Sequence, residues 1–220
     1  MKNLAILSIA LMVFVATTQA QTFTQGVNSG DQRRVNFTLN KEAEAAEGSP
    51  YKYEEWPGGK IVFIDGTSRE FEEINFDLSQ GNLLFQQNDQ KFIVNNQEYI
   101  DRVLIDSIKY LRVLLPNQSY SYMEILAGEK ILLLELENSK LVKGRPSQGY
   151  VQATKDRFVR STSYFLSPNE GDLIKINPKR GTRIYKHLPT LKNQIKEFEE
   201  LNGASLTDLN TMISLINFLN

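Results

Sequence analysis

The 220-residue chain contains no cysteine and a single histidine, His187. Without cysteine there is no disulfide, no thiolate nucleophile and no thioether-linked lipid anchor. Zinc sites draw mostly on cysteine and histidine, so we expect no metal site. A Ser-His-Asp triad would have to use His187, and no Gly-x-Ser-x-Gly elbow accompanies it. We therefore interpret His187 as a surface or helix-cap residue near other basic groups.

The sequence also lacks a glycine-rich phosphate loop and a dinucleotide fingerprint, so no cofactor is expected. Its charge is nearly balanced, with 25 basic and 26 acidic side chains and a net charge of −1. That balance gives no electrostatic reason to expect nucleic acid or an anionic membrane as a partner. A balanced net charge does not exclude local basic patches.

Residues 1–20 have the layout of a secretory signal peptide. Lys2 supplies the positive region, residues 4–15 form an apolar run, and small residues at 18 and 20 precede Gln21. A bilayer span needs about 20 apolar residues, so we predict cleavage rather than a retained anchor. Cleavage would leave 200 of the 220 residues. A cysteine-free exported chain fits a bacterial envelope, in the periplasm, on the outer-membrane surface or outside the cell.

The stretch from residue 48 to 187 is predicted to be a β-rich body. Strand-sized segments alternate there with turn signals at spacings near ten residues, which is typical of antiparallel β structure. The predicted strands are 60–65, 69–78, 83–85, 92–94, 99–105, 108–115, 120–127, 130–137, one or two within 150–166, and 173–176. Residues 140–149 are predicted to form an exposed loop. Before this body, residues 21–47 are predicted to be a polar lead-in that ends in a short helix at 40–47.

The end of the chain changes to a helical period. Apolar residues recur at three- and four-residue steps from Leu188 to Leu201, and Gly203 is predicted to stop this helix. Residues 205–208 resemble a capping box that would open a second helix. We therefore predict an α+β fold of mainly antiparallel β-strands, with a C-terminal two-helix hairpin at 188–220. The hairpin would pack on the sheet of a single globular domain covering residues 35–220.

Aromatic residues cluster on two predicted loops, at Tyr51, Tyr53 and Trp56 and at Tyr120 and Tyr122. Aromatic faces on loops can stack on sugars or anchor a partner protein. Alternatively, Tyr51 and Trp56 plug one end of the β core, which is the interpretation we favour. An exposed Trp56 would support binding, whereas a buried Trp56 would make Trp56→Ala a folding defect.

Acidic pairs offer a different chemistry, because glycoside hydrolysis uses two carboxyl groups about 5–10 Å apart. The candidates are Glu54-Glu55, Glu72-Glu73 and the pair Glu135 and Glu137. The last two share one face of a predicted strand, and we interpret that face as solvated.

Two blocks carry a resemblance to known proteins. The first is the Gly-Ser-Pro-Tyr motif at 48–51, an acidic and aromatic stretch, and Gly-Lys-Ile-Val at 59–62. The second is residues 171–176, then Leu188-Pro189, a Lys/Glu-rich helix and a final apolar helix. They resemble a family of exported Gram-negative bacterial proteins to which no function is assigned. The resemblance implies export and a β-rich fold with a C-terminal helical hairpin, and it implies no activity.

We therefore expect an exported envelope or periplasmic protein that is non-catalytic and binds a partner protein or a glycan. The candidate binding residues are Tyr51, Tyr53, Trp56, Tyr120 and Tyr122, and no catalytic residue is identified. One alternative is a polysaccharide hydrolase that uses two carboxylates. Another is an assembly factor for other exported proteins that uses an exposed strand edge.

Overall fold

The computed structural model describes residues 37–39, 46–146, 152–169, 172–203 and 206–220. The predicted signal peptide at 1–20 and the part of the predicted helix at 40–45 lie outside these residues. Within them, no helix is long and apolar enough to cross a membrane.

The described residues form twelve β-strands. They are β1 (Phe37–Leu39), β2 (Gly59–Phe63), β3 (Ser68–Phe71), β4 (Ile74–Asp77), β5 (Asn82–Gln87), β6 (Gln90–Val94), β7 (Ile100–Ile105), β8 (Ile108–Leu114), β9 (Tyr120–Ala127), β10 (Leu132–Val142), β11 (Arg157–Ser167) and β12 (Ile174–Ile176). A small sheet has the order β1-β6-β5-β4, and a large sheet has the order β12-β11-β10-β9-β8-β7-β2-β3. All these neighbours pair antiparallel, which confirms the predicted strand class.

The segment 69–78, predicted as one strand, is two strands in different sheets. β3 pairs with β2 in the large sheet, whereas β4 pairs with β5 in the small sheet. The two are separated by Glu72 and Glu73, and the amide of Ile74 donates to the carbonyl of Pro57 at 2.8 Å. An added Cβ at Gly59 would lie 2.5 Å from Ile74 Cγ2 and 2.9 Å from the Leu104 carbonyl oxygen. Glycine at this position therefore lets the crossing chain approach β2 closely.

Two hydrophobic cores lie on the large sheet. The core between the sheets consists of Phe37, Ile61, Ile74, Phe76, Leu83, Phe85, Val94, Ile100, Val103, Ile105, Tyr110 and Tyr122. The core beneath the helices consists of Ala127, Leu133, Leu166, Ile184, Leu188, Ile195, Phe198, Leu206, Met212, Leu215 and Ile216. A smaller cluster consists of Met123, Leu134, Leu136 and Phe165. Along β9, β10 and β11 its members alternate with residues of the two larger cores, so the smaller cluster lies on the opposite face of the large sheet.

The small sheet and the helices cover the same face of the large sheet. Tyr110, in the first core, is the cross-strand partner of Glu124, which is the partner of Glu135. Leu133, in the second core, lies two residues before Glu135 on β10 and so points to the same side. The part of this face between the two cores carries polar side chains.

The chain ends in helices, α1 (Ile184–His187), α2 (Lys192–Asn202) and α3 (Leu209–Phe218). Gly203 has φ +55 and ends α2 as predicted. The predicted capping box is wrong in register, because Asp208 is itself the N-cap of α3 and accepts from the Thr211 amide at 2.9 Å. Leu201, predicted to face the core, is 70% exposed.

The last residue ties α3 to the turn between β9 and β10. The side-chain oxygen of Asn220 accepts from the backbone amides of Glu129, Lys130 and Ile131 at 2.7–3.0 Å. Its amide nitrogen donates to the carbonyls of Ile131 and Ile216. These bonds satisfy backbone groups of both elements and fix the helical end on the sheet.

Candidate functional site

A row of polar side chains crosses the middle of the large sheet. Tyr110 of β8, Glu124 of β9, Glu135 of β10 and Tyr164 of β11 are successive cross-strand partners. We call these four residues the polar row. Two glutamates directly opposite each other repel, so the arrangement requires a compensating charge or a proton.

Lys52 supplies the compensating charge. Its Nζ lies 2.9 Å from Glu137 Oε2 and 3.4 Å from Glu124 Oε2, and its side chain is only 13% exposed. Burial by itself would lower the pKa of Lys52, but the hydrogen bond and charge of Glu137, together with Glu124, outweigh burial and raise this pKa. The ammonium therefore stays charged inside the structure.

The two tyrosines beside Lys52 share a hydrogen-bond chain with Glu124. The hydroxyls of Tyr53 and Tyr110 lie 2.5 Å apart, and the Tyr110 hydroxyl donates to Glu124 Oε2 at 3.2 Å. Burial and the hydrogen bond with Tyr53 raise the pKa of Tyr110 strongly, and burial also raises that of Tyr53. Both phenols are therefore neutral donors.

The carboxyl of Glu135 has a raised pKa. Burial and the neighbouring charge of Glu124 raise its pKa, while a hydrogen bond from Tyr164 partly opposes them. Burial and the charge of Glu135 also raise the pKa of Tyr164. The proton that limits repulsion in the row is therefore expected on Glu135 as the pH falls.

The segment 49–53, which includes most of the Gly-Ser-Pro-Tyr motif, holds Lys52 in place. The Lys52 amide donates to the Phe76 carbonyl at 3.0 Å, so the segment runs along the outer edge of β4. The fully buried Asn75 binds Tyr53 twice, accepting from its amide at 3.1 Å and donating to its carbonyl at 2.9 Å. From the other side, the guanidinium of Arg160 donates to the carbonyls of Tyr51 and Lys52.

The five predicted aromatic binding residues occupy separate places. Tyr51 and Trp56 are half-buried and pack edge to face at 5.4 Å between ring centroids. Tyr53 belongs to the hydrogen-bond chain described above. Tyr120 is 46% exposed beneath the guanidinium of Arg112, 3.6 Å away, whereas Tyr122 is buried and donates to Gln97 Oε1 at 3.0 Å.

Two open cavities adjoin each other at the end of β12, where Lys175, Ile176 and Asn177 line both. The larger, about 480 Å³, is lined by Thr162, Ser163, Tyr164, Lys175, Ile176, Asn177, Pro178, Lys179, Thr207, Asp208 and Leu209. The smaller, about 340 Å³, is lined by Lys175, Ile176, Asn177, Arg180, Ile184, His187 and Met212. We call them the β12 cavities. Tyr164, at the end of the polar row, reaches the larger one.

Basic residues dominate the segment around these cavities. Residues 173–196 contain seven lysines and arginines together with His187, and no aspartate or glutamate. Three of these basic residues, Lys175, Lys179 and Arg180, are exposed and line a cavity. The sequence did not exclude basic patches, but this one was not located from it. The feature of the sequence that indicates this basic patch is the absence of acidic residues between Asp172 and Glu197.

The other predicted carboxylate pairs lie away from the polar row. Glu54 and Glu55 are exposed in the loop before β2, and Glu72 and Glu73 lie at the crossing between the sheets. Among the described residues, no group of three or more His, Cys, Asp or Glu side chains is placed to hold a metal ion.

Comparison with known proteins gives no relative: no family model, no curated protein and no solved structure matches this chain.

Proposed function

We propose that this chain is an exported, non-catalytic protein of the bacterial envelope that binds a glycan or a partner protein. Of these two ligands the cavity favours the glycan, and we propose that it is held in the larger β12 cavity. The observation that carries the proposal is this open cavity, whose lining combines hydroxyl, amide and ammonium groups with an aromatic side chain. Its volume of about 480 Å³ falls within the roughly 300–1,000 Å³ of ordinary ligand pockets.

The lining supplies what sugar recognition needs. Thr162 offers a hydroxyl, Asn177 offers an amide, and Tyr164 offers a ring against which a pyranose can pack. Thr162 and Tyr164 lie on β11 and pair with β10, and paired strands position side chains more rigidly than loops do. Asn177 directly follows β12.

The state of the polar row favours a non-catalytic protein. Lys52 is engaged by Glu137 and Glu124, and the hydroxyls of Tyr53 and Tyr110 bind each other. Groups that satisfy one another in this way stabilise the packing of segment 49–53 on the large sheet. They leave Tyr164, at the cavity end of the row, as the member available to a ligand.

The test is binding of the exported chain to an array of bacterial envelope and plant-type polysaccharides, followed by calorimetry on the best ligand. Tyr164→Ala should weaken binding about tenfold, the scale of one lost aromatic contact. Tyr120→Ala is the matched control, because Tyr120 is an exposed tyrosine on β9 that is not part of the cavity lining, and it should retain affinity. If the wild type binds no glycan, or if Tyr120→Ala loses as much as Tyr164→Ala, this proposal fails.

The export part of the proposal rests on the signal-peptide layout of residues 1–20. Intact-mass measurement of the protein from the envelope fraction should give a chain that begins at Gln21. A mass that retains residues 1–20 would contradict it.

A hydrolase is the second candidate, and the pair Glu135 and Glu137 favours it. Burial and the charge of Glu124 raise the pKa of Glu135, as a general acid requires, while Glu137 accepts from the Lys52 ammonium. Turnover of a bound polysaccharide by the wild type, lost in both Glu135→Gln and Glu137→Gln, would establish it over the binding protein.

An assembly factor is the third candidate, favoured by the outer edge of β11. The Phe158 amide donates outward to Glu47, and Tyr164 pairs with Ile176 of β12. By alternation, the backbone groups of Arg160 and Thr162 also point outward, and the described part of the chain supplies no second strand to them. An extended peptide could add there.

We also propose that α2 and α3 form an antiparallel helical hairpin on the large sheet. The rings of Phe198 and Phe218, on the two helices, lie 5.6 Å apart, which supports direct packing between them.

A further inference from the structure

We infer that the glycan of the β12 cavities is acidic, a saccharide that carries carboxylate groups, and that Lys179 and Arg180 pair with those groups. This inference rests on the proposed glycan function and names the class of sugar. It starts from charge: a chain of net charge −1 concentrates seven cationic side chains in residues 173–196 without one acidic residue.

The cationic groups at the cavities are available to a ligand. Lys175, Lys179 and Arg180 are exposed, and within the described residues none of them forms an ion pair. By contrast, other lysines among the described residues, such as Lys52, Lys60 and Lys143, each have a carboxylate partner. The cationic lining of the cavities therefore lacks the compensation that these other lysines have.

The one acidic residue in the lining, Asp208, offsets only part of this charge, because two lysines, Lys175 and Lys179, line the same cavity. Asp208 uses both carboxylate oxygens on Thr211, accepting from its amide at 2.9 Å and from its hydroxyl at 2.7 Å. These bonds hold the pKa of Asp208 below its usual value. Its charge is directed to the first turn of α3, where it complements the helix dipole.

A carboxylate on a sugar ring fits the two adjoining cavities. Arg180 lines the smaller cavity and can bind a carboxylate through two parallel N–H groups. Lys179 and Tyr164 line the larger cavity, so a ring packed on Tyr164 has a cation within the same lining. Lys175 and Asn177 are common to both cavities, which allows one chain of sugars to occupy them in succession.

The experiment is isothermal titration of the exported chain with an oligomer of uronic acid and with the neutral hexose oligomer of the same length and linkage. We expect the acidic oligomer to bind at least about tenfold more tightly, with affinity that falls as salt is added. Lys179→Ala and Arg180→Ala should each remove most of that difference. Lys109→Ala, an exposed lysine of β8 outside the cavities, should leave it unchanged.

The possible outcomes distinguish a failure of the acidic-ligand inference from a failure of the proposed glycan function. Equal affinity for the two oligomers, lost in Tyr164→Ala, would keep the glycan proposal and overturn the acidic ligand. Binding of neither oligomer would overturn the acidic ligand, and if the polysaccharide array is also negative the glycan proposal falls with it. Citrate competing as well as the acidic oligomer would mean a site for simple carboxylates and would also overturn it. Thermal unfolding of each variant checks that the fold is retained.

Discussion

At the scale of single residues, Lys52 decides how three glutamates can share one face of a sheet. Sequence reasoning placed Glu135 and Glu137 on a common face but interpreted that face as solvated. The cation that changes this interpretation lies 85 positions before Glu137, in a segment with no regular period. Side-chain alternation reports which face a residue takes and contains no information about what packs on it.

Replacing this lysine should therefore destabilise the fold. Lys52→Met leaves Glu124 and Glu137 half-buried without a cation, and we expect about 3 kcal/mol of lost unfolding free energy, the scale of a broken buried pair. Lys60→Met is the matched control, because Lys60 meets Glu70 at 3.7 Å on the surface and should cost less than about 1 kcal/mol. Denaturant unfolding measures both, and equal losses would contradict this role of Lys52.

The pH dependence of that defect has a definite sign. Burial and the charge of Glu124 raise the pKa of Glu135, and Lys52 is one of the groups that lower it. Without Lys52, the pKa of Glu135 in the folded state therefore lies further above its value in the unfolded chain. A raised carboxyl pKa means that the folded state binds the extra proton, so stability falls as pH rises. We expect the deficit of Lys52→Met to be larger at pH 8 than at pH 5. A deficit that is constant over this range would indicate lost packing alone.

At the scale of elements, the sequence predicted most strands and turns and missed one change of sheet. Strands flank Asp65-Gly66 and Gly128 as predicted, because positive φ at these glycines is a local property. The strand after Gly128 is longer than predicted, since β10 runs to Val142 and enters the segment predicted as the loop at 140–149. The passage from β3 to β4 occurs at Glu72-Glu73, which carries no turn signal. The apolar alternation changes phase there, because two glutamates separate Phe71 from Ile74, Phe76 and Leu78. The prediction of one long strand overlooked this phase change, which is the local mark of the passage between sheets.

The close approach of the chain at this crossing predicts different effects of alanine at two adjacent glycines. Gly59→Ala would place a methyl group 2.5 Å from Ile74 Cγ2 and 2.9 Å from a backbone oxygen, so we expect a loss of about 1–3 kcal/mol from overpacking. Gly58→Ala meets its nearest atoms at 3.5 and 3.6 Å and should be close to neutral. Denaturant midpoints of the two variants compare them directly, and equal stability would mean that β4 does not cross β2 this closely.

The C-terminal elements show the same division between local and distant information. The helical period predicted α2 and α3, and Gly203 marked the end of α2. The N-cap of α3 was placed three residues early because Ser and Asp are both good caps and their spacing does not choose between them. The bonds of Asn220 to the turn before β10 join residues about 90 positions apart and leave no pattern in the sequence.

At the scale of the whole molecule, one face of the large sheet carries two coverings, the small sheet at one end and the helices at the other. The polar row lies between them, and the β12 cavities lie beside the helices. This arrangement separates two roles that the sequence interpretation combined. The aromatic residues near the Gly-Ser-Pro-Tyr motif pack and anchor segment 49–53, whereas the ligand surface that we propose lies at the basic segment 173–196.

Backbone amide chemical shifts of the labelled, exported chain during titration with the acidic oligomer would test this separation most directly. We expect shifts confined to the lining of the two cavities, at residues 162–164, 175–180, 184, 187, 207–209 and 212, with residues 51–56 and 120–122 unmoved. Shifts centred on Tyr51, Trp56 or Tyr120, with the β12 cavities silent, would contradict the account and return the binding site to the aromatic loops.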